Sequence, residues 1–233
     1  IGENSMIDSI PYFGAFLCFI CFFAGQKIQN KTKSVLANPI LLSVLFLYFI
    51  SFFMKTEFKN FDKDVEILNY LLTPATICLG VPLYKNFERV KKELFPVLFG
   101  ITSGVLINLF LTTLLSRMLY LSNAEYITFL PKSVTLGVGK NIADDLGGIV
   151  GITSPIIILT GIFGNIIADK VIRIIKIKHQ LAIGVLIGTS THAIGTTKAF
   201  EIGDLEGAAS SFSLVVAAIF TVILMPLFSS FHL

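Results

Sequence analysis

The chain has 233 residues, 54% of them hydrophobic and only 14% charged, with mean hydropathy +0.82 and net charge +3. A soluble domain sits nearer ~45–50% apolar and ~25% charged, so this composition excludes an ordinary soluble protein. The small positive excess falls in short loops, as a membrane protein requires, and gives no reason to expect a nucleic-acid partner.

Charges cluster and leave seven long stretches without any: Ser9–Gln26, Ser34–Met54, Ile67–Tyr84, Leu94–Ser116, Leu146–Ala168, His179–Thr197 and Gly207–Leu233. A helix needs roughly 17–25 apolar residues to cross the hydrocarbon layer. The expected fold is therefore an all-α integral membrane protein of about 7–8 membrane segments in a single polytopic domain over 6–233. Ile1–Ser5 before Met6 reads as an expression remnant. Ser9–Gln26 is not a secretory signal, since no basic residue precedes its apolar run. Cys18, Cys21 and Cys78 lie inside apolar segments, where small hydrophobic filler is the expected use rather than metal or redox chemistry.

Along the chain, the first span is rich in Phe, and Lys27, Lys31 and Lys33 follow it. Asn38-Pro39 opens the second span, with proline where a helix start tolerates it. A loop of mixed sign, Lys55–Glu66, leads to Ile67–Tyr84, a segment interrupted by two prolines. Lys85–Glu93 reads as a basic loop and Leu94–Ser116 as an ordinary span. Arg117–Glu125 precedes a second interrupted segment, Tyr126–Leu146. Ile152–Ala168 carries Gly161 and Gly164 in the small-residue spacing that lets helices approach closely. Asp169–Lys178 is basic, His179–Thr197 reads as a span with a polar centre, and Gly207–Leu233 closes the chain.

The two interrupted segments share a pattern. Pro74-Ala75-Thr76-Ile77-Cys78-Leu79-Gly80-Val81 recurs 57 positions later as Pro131-Lys132-Ser133-Val134-Thr135-Leu136-Gly137-Val138. Paired apolar segments broken by Pro and Gly point to the binding site of a transporter. An internal, inverted repeat of about 67–116 and 126–172 follows if both segments are re-entrant. If the first crosses instead, the Lys/Arg count is equally satisfied. Both arrangements put 85–93 and 170–178 in the cytoplasm.

Lys132 is the sharpest candidate. A lysine at membrane depth costs about 2.5–3.5 kcal/mol on insertion scales and implies a partner and a task. With Ser133, Thr135 and the amides of a broken helix it makes an anion site; the competing reading is a lysine snorkelling to the interface. His192 lies in Gly188-Thr189-Ser190-Thr191-His192-Ala193-Ile194-Gly195-Thr196 and is either a structural hydrogen-bonder or a group that binds an anion or couples a proton. Thr189 and Thr196 flank it. Thr76, in the place that Ser133 takes in the other copy, is an opposing hydroxyl, and Asn69 is a further polar candidate. Lys140, Asp144 and Asp145 read as solvated. No enzyme is expected: Lys132-Ser133 lacks an oxyanion-hole motif, Asp144-Asp145 lacks a second aspartate, and no phosphate-binding Gly-x-x-x-x-Gly-Lys-Ser/Thr loop exists. No cofactor or metal is expected, and H+ or Na+ are the candidate coupling ions.

At Leu130–Thr135 and Thr189–Thr196, and again at Leu71–Thr76, Val81–Tyr84, Leu159–Gly164 and Glu201–Gly207, the chain resembles the LrgB/CidB family of antiholin-like bacterial membrane proteins, related to the plastidial glycolate/glycerate translocator. The likeness runs from about Pro11 to Pro226. It departs where the family commonly has Thr-Pro after Val134-Thr135; Leu136-Gly137 stand there. The resemblance implies the bacterial cytoplasmic membrane and transport of a small monocarboxylate such as glycolate, glycerate, pyruvate or lactate. It implies a companion small membrane subunit of the LrgA/CidA type as well, and a dimer is the expected assembly. The same family is also described as holin-like modulators of murein hydrolase activity and autolysis, and this is the alternative function. On the transport reading, Lys132 takes the carboxylate, Ser133, Thr135 and Thr76 its oxygens, and His192 and Thr196 the far side.

Overall fold

The structure, a computed structural model, describes residues 12–32, 37–54, 63–78 and 80–232. These residues are helical throughout, with no strand among them. They fall into two compact units, 1–78 and 79–233.

The first unit holds α1 (Phe13–Thr32), α2 (Pro39–Met54) and α3 (Glu66–Cys78). Asn38 starts α2 by accepting from the Ile40 N–H through Oδ1 at 2.9 Å, and Pro39 occupies the first turn, where its missing N–H costs nothing. α1 packs on α2, where a Cβ at Gly25 would meet the Pro39 backbone at 2.9 Å.

The second unit holds α4 (Gly80–Lys92), α5 (Leu94–Met118), α6 (Asn123–Phe129), α7 (Leu136–Asp145), α8 (Val150–Ile175), α9 (Gln180–Ile202) and α10 (Asp204–Ser229). α5, α8 and α10 are long and apolar enough to cross a membrane. At 1.5 Å per residue their 25 or 26 residues exceed the ~30 Å hydrocarbon thickness. The sequence expects the basic stretch Lys85–Glu93 as a loop, but most of it is helix: Leu83 and Val90 recur on one face and are drawn onto the core along α10. That burial outweighs the loop reading of its charges.

Two segments enter the unit and turn back, one from each end. Glu93 at the start of α5 lies 3.5 Å from His179 at the start of α9, so 85–93 and 170–178 share one end, the basic end. From the opposite end, Ser122 and Glu125 form a capping box that opens α6. The chain then makes tight turns, Lys132 N–H to Phe129 O and Val134 N–H to Pro131 O. It restarts at Thr135 with extended φ/ψ and returns as α7. Gly148 then stands 3.1 Å, by its Cβ direction, from Ile127, and the Ile149 N–H donates to Thr128 Oγ1 at 2.8 Å.

α9 is the mirror case. Inside it His192 has φ 45° and ψ −145°, outside helical space, and the chain doubles back there. Gly188 and Thr196 both meet Ser210 of α10, although eight helical residues would place them ~12 Å apart. A Cβ at Gly195 would lie 3.2 Å from Ile187 Cγ2, and Ala199 shares a core cluster with Ile183, Ala168 and Ile172. The expectation of one crossing over His179–Thr197 is thus corrected to a re-entrant hairpin. Hydroxyls just before the turn explain the break: Ser190 Oγ donates to Leu186 O and Thr191 Oγ1 to Ile187 O, both at 2.6 Å, bonds that bend helices. Gly188 and Gly195 weaken the helix on either side.

The twin Pro/Gly stretches are not built alike. Helix α3 continues through Pro74 to Cys78, whereas at Pro131 the chain is in tight turns and helix resumes only at Leu136. The break therefore precedes Leu136-Gly137, and Gly137 lies inside α7.

Candidate functional site

A cavity of about 500 Å³ opens at the basic end of the second unit. Its walls are the first half of α5 (Val97, Gly100, Ser103, Gly104, Asn108) and the entering half of α9 (Leu181, Val185, Thr189, Ser190), with Thr160 of α8 beside them. Lys132 and Ser133 close it at depth. The His179–Glu93 contact stands at the rim.

Lys132 is placed by the turn at the tip of the α6–α7 hairpin. Its ammonium donates to Thr112 Oγ1 of α5, and Thr112 in turn donates to Asn108 O at 2.7 Å. Among the described residues no carboxylate lies within ion-pair distance of Lys132. A cation withdrawn from water and met only by a hydroxyl is poorly compensated. The cavity lining as a whole offers hydrogen-bonding groups of neutral charge: Ser133, Asn108, Thr160, Ser190 and Thr189. The Thr189 hydroxyl is buried and has no hydrogen-bond partner among the described residues. The arrangement suits a small anion with further oxygen atoms.

Behind Lys132 the fold is closed. Tyr126 is fully buried; its hydroxyl meets Thr113 Oγ1 at 2.7 Å and donates to Phe228 O at 2.8 Å. Leu130 and Val134, on either side of Lys132, are buried as well. The cavity is thus one-sided.

The structure brings Lys132, Ser133 and Thr189 together in one cavity. His192 and Thr196 are not among its lining residues. The His192 ring nitrogen Nε2 lies 2.9 Å from Ile157 O on α8, over Gly161, where a Cβ would come within 2.7 Å of the ring. Thr196 Oγ1 donates to His192 O at 3.0 Å and pairs with Ser210 Oγ at 2.9 Å. Asn165 caps the same turn through Ile194 O at 3.2 Å. These groups fix the α9 tip to α8 and α10. Thr135 is the N-cap residue of α7, without a side-chain cap bond, and does not line the cavity. The side chains of Thr76 and Asn69 lie outside the described ones, and both residues belong to the first unit. Lys140, Asp144 and Asp145 are exposed. Among the described residues no group of His, Cys, Asp or Glu is placed to hold a metal ion.

Sequence reasoning missed Asn108, Ser103 and Thr160. Asn108 is the one amide in Leu94–Ser116, and Gly100, Gly104 and Asn108 recur every fourth residue. That stripe of small and polar residues on one helix face was the available signal.

Comparison with known proteins places the chain. The model of the LrgB-like family matches residues 18–231. An uncharacterized protein of Bacillus subtilis, YwbG, is 31% identical over 93% of this chain and 96% of its own length. The holin-like protein CidB of Staphylococcus epidermidis is 30% identical, over 90% of this chain and 92% of its own. CidB of Staphylococcus aureus is 29% identical over the same shares. No solved structure matches. With three membrane-length helices among the described residues and a family match over nearly its whole length, the chain is a membrane protein that belongs to the LrgB-like family.

Proposed function

We propose that the chain carries a small monocarboxylate, of the glycolate, glycerate, pyruvate or lactate class, across the bacterial cytoplasmic membrane. One observation carries this reading: Lys132 is a cation at the bottom of a one-sided cavity lined by neutral hydrogen-bonding groups, with no carboxylate within ion-pair distance among the described residues. Lys132 binds the carboxylate, Ser133 and Asn108 reach its remaining oxygens, and Thr160 and Thr189 line the approach. His192, Thr196 and Thr135 hold the two hairpin tips in place; Thr76 and Asn69 keep a binding role on the sequence pattern alone. Re-entrant segments that meet at mid-depth from opposite ends support a carrier, because broken backbone at that depth is tolerated where it lines a site. A cavity of this size falls within the roughly 300–1,000 Å³ usual for small-molecule sites.

An inverted repeat is part of the proposal. The pairing that the contacts favour is a long helix followed by a hairpin, 94–145 against 150–202, rather than 67–116 against 126–172. Coupling to H+ or Na+, a dimeric assembly and an LrgA/CidA-type companion subunit also belong to it.

A second reading is favoured by the relatives: two of them are named holin-like proteins, and the comparisons support a holin- or antiholin-like pore, or a modulator of murein hydrolase activity, better than they support a carboxylate carrier. Such a pore needs oligomerisation and a wide lumen, and has no use for a deep lysine.

Uptake of labelled glycolate, pyruvate and lactate into proteoliposomes separates the two. Carrier function requires saturable uptake that Lys132→Ala weakens about 10- to 100-fold, since a charge-assisted bond is worth about 1.5–3 kcal/mol. Passage of a large inert dye, indifferent to Lys132, is the outcome that favours the pore.

A further inference from the structure

Helix α4 divides into three arcs. Leu83 and Val90 face the core, Val90 with no exposed surface, and Asn86 lies between them, partly buried. On one flank Val81, Tyr84 and Phe87 are exposed, Tyr84 to 85%. On the other flank Lys85, Arg89 and Lys92 recur at i, i+4 and i+7, all exposed, so they stack on one line. Glu88 and Lys91 fall within the angular range of the apolar strip, between Tyr84 and Val81 and between Phe87 and Tyr84, but one to two turns nearer the C-terminal end of the helix. The last turn of α4 runs directly into Glu93, so the basic line ends at the rim of the cavity, where the Glu93–His179 pair brings Lys176 and Lys178 to the same end.

A helix surface with an apolar strip beside a basic strip is out of place both in water and in hydrocarbon. It fits the boundary, where aromatic rings sit at headgroup level and basic groups meet lipid phosphate. We propose that α4 is a binding surface for anionic phospholipid: Lys85, Arg89 and Lys92 seat the headgroups while Val81, Tyr84 and Phe87 enter the acyl boundary. The charge of the surface selects the occupant. Zwitterionic headgroups offer no net charge to three aligned cations, and each basic group near an anionic surface is worth about fivefold in preference. Because the line ends at the cavity rim, the lipid composition of that leaflet sets what surrounds the mouth. This inference rests on α4 alone and stands whether the chain is a carrier or a pore.

The chain contains no tryptophan, so Phe87→Trp introduces a single fluorophore on the apolar arc. Phe110→Trp, on an exposed position of α5, serves as a reference distant in sequence. The full chain is reconstituted in phosphatidylcholine vesicles doped, at equal mole fraction, with acyl-brominated phosphatidylglycerol or acyl-brominated phosphatidylcholine. The expected result is severalfold stronger quenching of Trp at 87 by the brominated phosphatidylglycerol, with no such preference at 110. The excess should fall at high salt and disappear when Lys85→Gln, Arg89→Gln and Lys92→Gln are combined with the reporter. Equal quenching by the two lipids at 87, an equal preference at 110, or no quenching at 87 would each overturn the proposal. The lipid comparison is made within one folded sample, so it does not depend on the triple variant folding; Tyr84→Trp provides a second reporter.

Discussion

His192 is held in a backbone conformation that glycine adopts more readily than histidine, at φ 45° and ψ −145°, while its ring contacts Ile157 O. These two features can be separated. His192→Ala loses the ring and keeps the strain; His192→Gly loses the ring and relieves the strain. Unfavourable backbone conformations cost about 1–3 kcal/mol, so the glycine variant should be the more stable of the two by about that amount in a detergent unfolding titration; a glycine variant less stable than the alanine one would mean that the turn is not strained. Residue by residue, the candidate site was legible where a side chain is anomalous for its surroundings. Lys132 stands out because charge is rare at membrane depth, and Thr189 because hydroxyls cluster around it. Asn108 and Thr160 did not stand out, because one amide or hydroxyl in a long apolar helix becomes notable only once the neighbour it faces is known.

At the scale of elements, the close fit of α9 on α10 depends on Gly184 and Gly188. A Cβ at Gly188 would lie 2.8 Å from Ser210 Cα and closer still to its carbonyl oxygen. Gly188→Ala should therefore destabilise by about 1–3 kcal/mol, as overpacking does. Gly137→Ala is the contrast. Gly137 lies in the first turn of α7, a Cβ there meets nothing within 4 Å, and the substitution should stabilise by about 0.4–1 kcal/mol through the unfolded chain. Thermal unfolding of both variants should move in opposite directions, and a parallel shift would contradict the packing described. The existence of α5, α8 and α10 was legible from their uncharged length. The reversal inside α9 was not: its hydrophobicity is that of a span, and the fold-back shows in tertiary contacts such as those of Gly188 and Thr196 with the same serine.

For the whole molecule, the two opposed hairpins fix which loops share a side. Lys178 and Asp204, at the two ends of α9, should lie on one face of the membrane, and Asn123 on the other. Single cysteines at these three positions, with Cys18, Cys21 and Cys78 replaced, test this through a membrane-impermeant thiol reagent. Labelling of 178 and 204 from opposite faces would restore α9 as a single crossing. The positive-inside count already placed 85–93 and 170–178 together, because both are basic. It was silent on α9, whose return adds only the mixed-sign group Lys198, Glu201 and Asp204.

The one-sidedness of the cavity has an electrical consequence. On the carrier reading, with the basic end toward the cytoplasm, a water-filled vestibule would bring the cytoplasmic potential down to Lys132, and the membrane voltage would fall mainly over the packed layer formed by Tyr126, Leu130, Val134 and their neighbours. On that reading an anion reaching Lys132 from the cytoplasm would cross little of that field, and one leaving toward the far face would cross nearly all of it. At about 2.3 kcal/mol per charge per 100 mV, the membrane voltage of such a carrier would act on release and hardly at all on capture.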